Sequence, residues 1–157
     1  MNKIAFALLI GSCTVQAAEN LTFHGTLVTG PVCTISNNET IEVNFNNVLI
    51  DKIDGNNYVQ DVPYEITCDS TARDASMAMT LTLSGTQTAY NTAAIDTDIS
   101  GLGIELRHDG LPFTIGSVIT INEQAKPVLT AAPVKQSGVV LTEGAFAAWA
   151  TLQVDYQ

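Results

Sequence analysis

Apolar residues recur at every second position along much of the chain. Leu21, Phe23, Gly25 and Leu27 share one phase, with Asn20, Thr22, His24 and Thr26 in the other. Val62, Tyr64, Ile66 and Cys68 alternate with polar neighbours. Met77, Met79, Leu81 and Leu83 alternate with Ala78, Thr80 and Thr82. Phe146, Ala148, Ala150, Leu152, Val154 and Tyr156 carry the pattern to the C-terminus. Successive side chains of a strand point to opposite faces, so each run predicts a strand with one buried face. Asn37-Asn38, Asp54-Gly55-Asn56-Asn57, Asp109-Gly110 and Ser137-Gly138 supply turn chemistry between the runs. Helical periodicity is weak. Residues 86–100 are polar and rich in Thr, Ala and Asp, and read as loop; residues 126–136 show no distinctive pattern. Short strands at this spacing predict an all-β sandwich.

The first residues break the pattern. Lys3 precedes a compact apolar run, residues 4–10, and Val15-Gln16-Ala17 offers a cleavage site. This predicts a signal peptide, residues 1–17, cut after Ala17 or Ala18. The run is too short to span a bilayer, which takes about 20 residues. A competing reading makes Ile10-Gly11-Ser12-Cys13 a lipoprotein processing box with Cys13 lipidated. The chain is thus expected to be exported, with no membrane insertion. The 157 residues fit one domain with a real core.

Export changes how the cysteines read. Removing the leader leaves Cys33 and Cys68, which in an oxidising compartment are most simply a disulfide. Closing a loop of about 35 residues contributes ~3–4 kcal/mol in the chain-entropy picture. A metal site is the alternative, but it needs two further ligands, and the chain has only His24 and His108 as imidazoles. A formal net charge of −10 with six Lys and Arg excludes nucleic acid as a natural partner.

Residues 18–30 form a strand-like arm, separated from the domain at 31–157 by Gly30-Pro31, which breaks a continuous ladder. An isolated strand with an apolar face must pair with something. Gly25 sits mid-strand on that face, where glycine weakens a strand unless another group approaches closely. At the other end, the last alternating run reaches Gln157, with no later segment expected along its outer edge.

Five elements together resemble the fimbrial (pilin) subunits of bacterial chaperone–usher pili, close to the minor subunits of P pili and type 1 pili. They are the arm Asn20-Leu21-Thr22-Phe23-His24-Gly25-Thr26-Leu27 and Pro31-Val32-Cys33-Thr34-Ile35. Next come Val43-Asn44-Phe45-Asn46-Asn47-Val48 with Ile66-Thr67-Cys68, then Leu102-Gly103-Ile104-Glu105-Leu106 leading to Asp109-Gly110 and Ile115-Gly116. The fifth is the C-terminus, with Gly144 fourteenth from the end and Tyr156 penultimate. The resemblance implies an incomplete immunoglobulin-like β-sandwich missing its last strand, with one disulfide and an N-terminal donor-strand extension. It implies partners: a periplasmic pilus chaperone that fills the groove, an outer-membrane usher, and neighbouring pilin subunits whose arms replace the chaperone strand. It implies passage through the periplasm to a cell-surface fimbrium. Leu21, Phe23, Gly25 and Leu27 take the donor role. Gly144, Phe146, Ala148, Ala150, Leu152, Val154, Tyr156 and the Gln157 carboxylate take the groove-edge and chaperone-binding role. Thr29, the next in-phase arm position, is less apolar than the pattern expects. Trp149 is out of phase and reads as packing or surface cover.

No convergent catalytic set is apparent. His108-Asp109 sits at a turn, no Gly-x-Ser-x-Gly element occurs, and two histidines are too few for a sandwich metalloenzyme. No enzymatic activity and no cofactor are expected. The alternative is a one-domain fimbrial adhesin that binds a host receptor or glycan. The short stretch between cleavage site and arm leaves no room for a separate receptor domain.

Overall fold

The computed structural model describes residues 21–27, 29–69, 78–121 and 125–156. The expected leader, Asn20, Met77 and Gln157 lie outside the described residues. Among the described residues ten strands follow in order: β1 Cys33–Ile35, β2 Gln60–Asp61, β3 Ile66–Cys68, β4 Met79–Gly85 and β5 Ala94–Asp96. Then come β6 Leu102–His108, β7 Leu111–Pro112, β8 Val118–Ile121, β9 Leu129–Lys135 and β10 Ala150–Tyr156. Two 3-10 turns, Ser36–Asn38 and Ile50–Lys52, are the described helical elements.

Strand β4 forms the middle of one sheet, between β10 and β8, both antiparallel to it. The alternation read from the sequence sets the register. Leu152 opposes Leu83, Val154 opposes Leu81 and Tyr156 opposes Met79 on the inner face. Thr151, Gln153 and Asp155 oppose Ser84, Thr82 and Thr80 on the outer face. A one-residue slip would exchange the two sets, so burial fixes the pairing. The facing sheet runs β2–β9–β6–β5, with β7 folded back on β6. Its Ile95, Ile104, Leu106, Leu129 and Ala131 meet Met79, Leu81, Leu83 and Val154 around a fully buried Phe113. Each large side chain so buried contributes about 1.5–3 kcal/mol. The chain is therefore an all-β sandwich.

The third, small sheet pairs β1 with β3, and the Cys33–Cys68 disulfide joins them. The expected bridge is thus present. Asp109 and Gly110, with φ of 49° and 79°, form the two-residue turn between β6 and β7. Two positive φ values in sequence match the twist of the flanking strands.

Two stretches differ from the sequence reading. Residues 86–100, expected as loop, contain β5, whose Ala94 and Ile95 are buried. Residues 126–136 contain β9, which lies between β6 and β2 at the centre of its sheet. Both are short of large alternating side chains because both faces are covered, so neither shows a polar phase. The cover over β6 is specific. Glu105 accepts hydrogen bonds from Asn91 Nδ2 at 2.5 Å and Arg107 Nε at 2.6 Å. Tyr90 lies over Gly103, where an added Cβ would stand 2.9 Å from the Tyr90 hydroxyl and 2.7 Å from Thr88. That hydroxyl lies 3.2 Å from the carbonyls of both Gly101 and Val134 and shares its one proton between them.

Two phenols, Tyr64 buried and Tyr90 half-buried, tie this packing to pH. The Tyr64 hydroxyl donates to the Pro127 carbonyl at 2.7 Å. Burial, reinforced by the Asp109 charge, pushes its pKa up to about 12. Burial, reinforced by Asp96, pushes Tyr90 up to about 12 as well. A raised folded-state pKa favours the protonated phenol in the native state. That stability is fully present below about 10, the unfolded value, and is lost as pH rises towards about 12. Denaturant unfolding between pH 8 and pH 12 should show a falling midpoint, and the combined Tyr64→Phe and Tyr90→Phe variant should show a shallower fall.

Candidate functional site: an unfilled groove

Beyond β1 the chain passes through the Ser36–Asn38 turn and then runs extended from Glu39, outside the ladder. Ile41, Val43 and Phe45 are half-buried while Glu42, Asn44 and Asn46 are exposed. The alternation is that of a strand, yet residues 41–45 have no ladder partner among the described residues. Across a gap, residues 145–149 lead extended into β10. Ala147 is tied on one side: its N–H donates to Asp98 Oδ1 at 3.0 Å, and its carbonyl accepts from Asp98 N at 3.3 Å. The backbones of Phe146 and Ala148 have no partner among the described residues. In a strand these alternate residues face the other side, towards the gap. Among the described residues strand β10 has β4 as its ladder partner, although β1 lies close beside it.

The gap is a groove of about 1800 Å³. Ile41, Val43 and Phe45 form one wall, and Phe146, Ala148 and Leu152 the other. Its floor is the core itself: Leu83, Ile95, Ile104, Leu106, Leu129 and Ala131. The walls meet at one point, where the rings of Phe45 and Phe146 lie 6.1 Å apart. An apolar trough open to water beside two unpaired backbone edges is the arrangement that soluble proteins avoid.

The residues singled out in the sequence fall on both sides of this feature. Phe146, Ala148, Leu152 and Tyr156 are half-buried, Val154 is buried, and Ala150 and Gly144 are exposed. Gly144 and Ala150 also line the groove. An added Cβ at Gly144 would meet only Ile99, at 3.9 Å, so no crowding within the chain demands glycine there. The arm does not lie in the groove. Leu21, Phe23 and Leu27 are 70%, 85% and 102% exposed. Nothing approaches a Cβ built on Gly25 within 4 Å. The arm therefore leaves its own sandwich incomplete. Trp149 is 77% exposed, in the phase that points away from the core. The first wall was not assigned from the sequence, although Ile41-x-Val43-x-Phe45 carries the same period-two signal as the arm. Among the described residues no three His, Cys, Asp or Glu side chains gather as a metal site, and no helix is long and apolar enough to cross a membrane.

Residues 21–157 match the family model described as fimbrial protein. The chain belongs to the fimbrial protein family. Two relatives from Escherichia coli K12 agree. The fimbrial-like protein YfcQ is 51% identical over the whole of both chains. The fimbrial-like protein YfcR is 37% identical over 81% of this chain and 74% of its own length. Solved structures share the fold of this fimbrial protein. The P pilus rod subunit PapA superposes with a TM-score of 0.62 at 23% identity, over 80% of this chain and 99% of that one. The P pilus adaptor subunit PapF gives 0.59 at 21% identity, over 82% and 98%. A chaperone–usher pilus solved in a study of rod uncoiling gives 0.58 at 24% identity, over 94% and 100%. The fold is thus the incomplete immunoglobulin-like sandwich of pilus subunits, and the groove is where its last strand is missing.

An open apolar groove should bind a hydrophobic dye such as ANS with a strong rise in fluorescence. Val43→Asp, which places a carboxylate on the wall, should reduce that rise several-fold without changing the far-ultraviolet circular dichroism.

Proposed function

We propose that this fimbrial protein is a structural subunit, minor or adaptor, of an adhesive surface fimbria, and that it polymerises by donor-strand exchange. The observation that carries this reading is one chain holding both halves of a joint. An apolar-faced arm stands exposed and unpaired, and an apolar groove stands open beside unpaired backbone. Strand addition to a sheet edge uses such parts: backbone hydrogen bonds supply affinity and alternate side chains in pockets supply specificity.

In this reading a periplasmic chaperone fills the groove with a strand of its own, and an outer-membrane usher receives the complex. The arm of a neighbouring subunit then replaces the chaperone strand. Leu21, Phe23 and Leu27 of the donor enter the acceptor groove, each contributing about 1.5–3 kcal/mol of burial. Backbone hydrogen bonds to Phe146, Ala148 and the edge of β10 add roughly 1 kcal/mol each before ordering costs. Gly25 faces the groove where no Cβ fits, which accounts for a glycine that nothing inside its own chain requires. Tyr156 and the Gln157 carboxylate form the end held by the chaperone.

Two outcomes test this. Gly25→Arg should leave the domain folded, since the arm is exposed, yet abolish its incorporation into sheared fibres as read by mass spectrometry; normal incorporation would sink the exchange model. A donor strand fused after Gln157 should convert a chain that aggregates without its chaperone into a soluble monomer. A stable chaperone-free monomer of the unfused chain would show that no strand needs to be borrowed.

A further inference from the structure

Strand addition leaves open what kind of strand the groove prefers, and the outward-facing residues of its two edges bear on that question. This inference rests on the strand-acceptance reading. On one edge the outward phase carries Glu42 and Asn44, with Glu39 just before them. On the other it carries Glu143, Ala145, Ala147 and Trp149, alternating with the inward Phe146 and Ala148. Asp51 also borders the groove, and Lys52 is the one cation among the residues lining it. None of the four carboxylates is ion-paired among the described residues. Trp149 is 77% exposed and makes no ring contact among the described residues.

A strand seated between these edges would point every second side chain outward, at about 4.7–4.9 Å from each neighbour. Its outward side chains would then stand opposite Glu42 and Asn44 on one side and Glu143 to Trp149 on the other. Opposite charges across strands attract, and a cation over an indole face gains further. Both edges therefore ask for the same chemistry at the outward positions. The arm of this chain does not supply it: residues 18–30 contain Glu19 and His24 and neither Lys nor Arg.

We infer that the preferred first occupant of the groove is a cationic strand, with large apolar side chains inward and Lys or Arg outward, read by Glu42, Glu143 and Trp149. The net charge of −10 adds a long-range pull in the same direction. Such steering raises association rates more than final affinity. The cationic partner is thus captured quickly.

Three peptides spanning residues 18–30 isolate this effect: the native arm, its Thr22→Lys/Thr26→Lys form and its Thr22→Glu/Thr26→Glu form. Both substituted positions are outward, so the groove contacts are the same in all three. Association with the full chain, refolded at sub-micromolar concentration and used before it aggregates, is followed by peptide anisotropy, and emission from Trp149, the chain's single tryptophan, serves as a second readout. At low salt the lysine peptide should associate about tenfold faster than the native arm, and the glutamate peptide should be slower still. The advantage should shrink to within about twofold near 1 M salt, where screening reaches about 3 Å. It should also shrink in the Glu42→Gln/Glu143→Gln variant, whose substituted side chains are exposed. Trp149→Ala should lower it in part, and only the lysine peptide should perturb the Trp149 emission of the native chain. Equal rates for the three peptides, or a lysine advantage unchanged by salt and by the glutamine variant, would overturn the inference while leaving strand acceptance intact. Failure of the native arm peptide and of both variants to bind at all would overturn strand acceptance itself.

Discussion

The chain is organised around a deficit of backbone hydrogen bonds along one line. Strand β10 is paired on the β4 side, and residues 41–45 are extended with no ladder partner among the described residues. Between them lies space where the core is open to water. Unpaired peptide groups there are hydrated but frustrated, and the apolar floor beneath them adds a hydrophobic drive towards the same solution. One added strand would relieve both terms at once.

Seen from this deficit, the rest of the sandwich is conventional. The β4–β10 pairing and the β6–β9 pairing bring two sets of alternating side chains together around Phe113. The loop carrying Tyr90 and Asn91 covers the outside of β6 and satisfies Glu105. The middle of that sheet is therefore covered on both faces, and its inner face forms the floor of the groove.

How much of this was legible in the sequence follows the same physics. Met79, Leu81 and Leu83, or Leu152, Val154 and Tyr156, announce themselves because one face meets the core and the other meets water. Strands β5 and β9 did not, because Ala94, Ala131, Ala132 and Pro133 are buried without an exposed polar phase. The wall at Ile41, Val43 and Phe45 carried a clear alternation but no assigned role, since a strand with no ladder partner among the described residues leaves no pairing signal in its own chain. The arm was readable for the opposite reason. Its glycine has no purpose within the chain, and the sequence alone poses the question that the structure sharpens.

The position of the disulfide has a mechanical consequence. Cys33 is the first residue of β1, two residues beyond Pro31, where the arm joins the domain. A tensile force applied through the arm meets the Val32–Asp69 hydrogen bonds, at 2.8 and 3.0 Å, and then Cys33. Without the bridge, the force would peel a three-residue ladder from its end, one hydrogen bond at a time. With it, the pull passes covalently to Cys68 and on into β3, so a fibre under shear would yield at its non-covalent joints before this anchor comes loose.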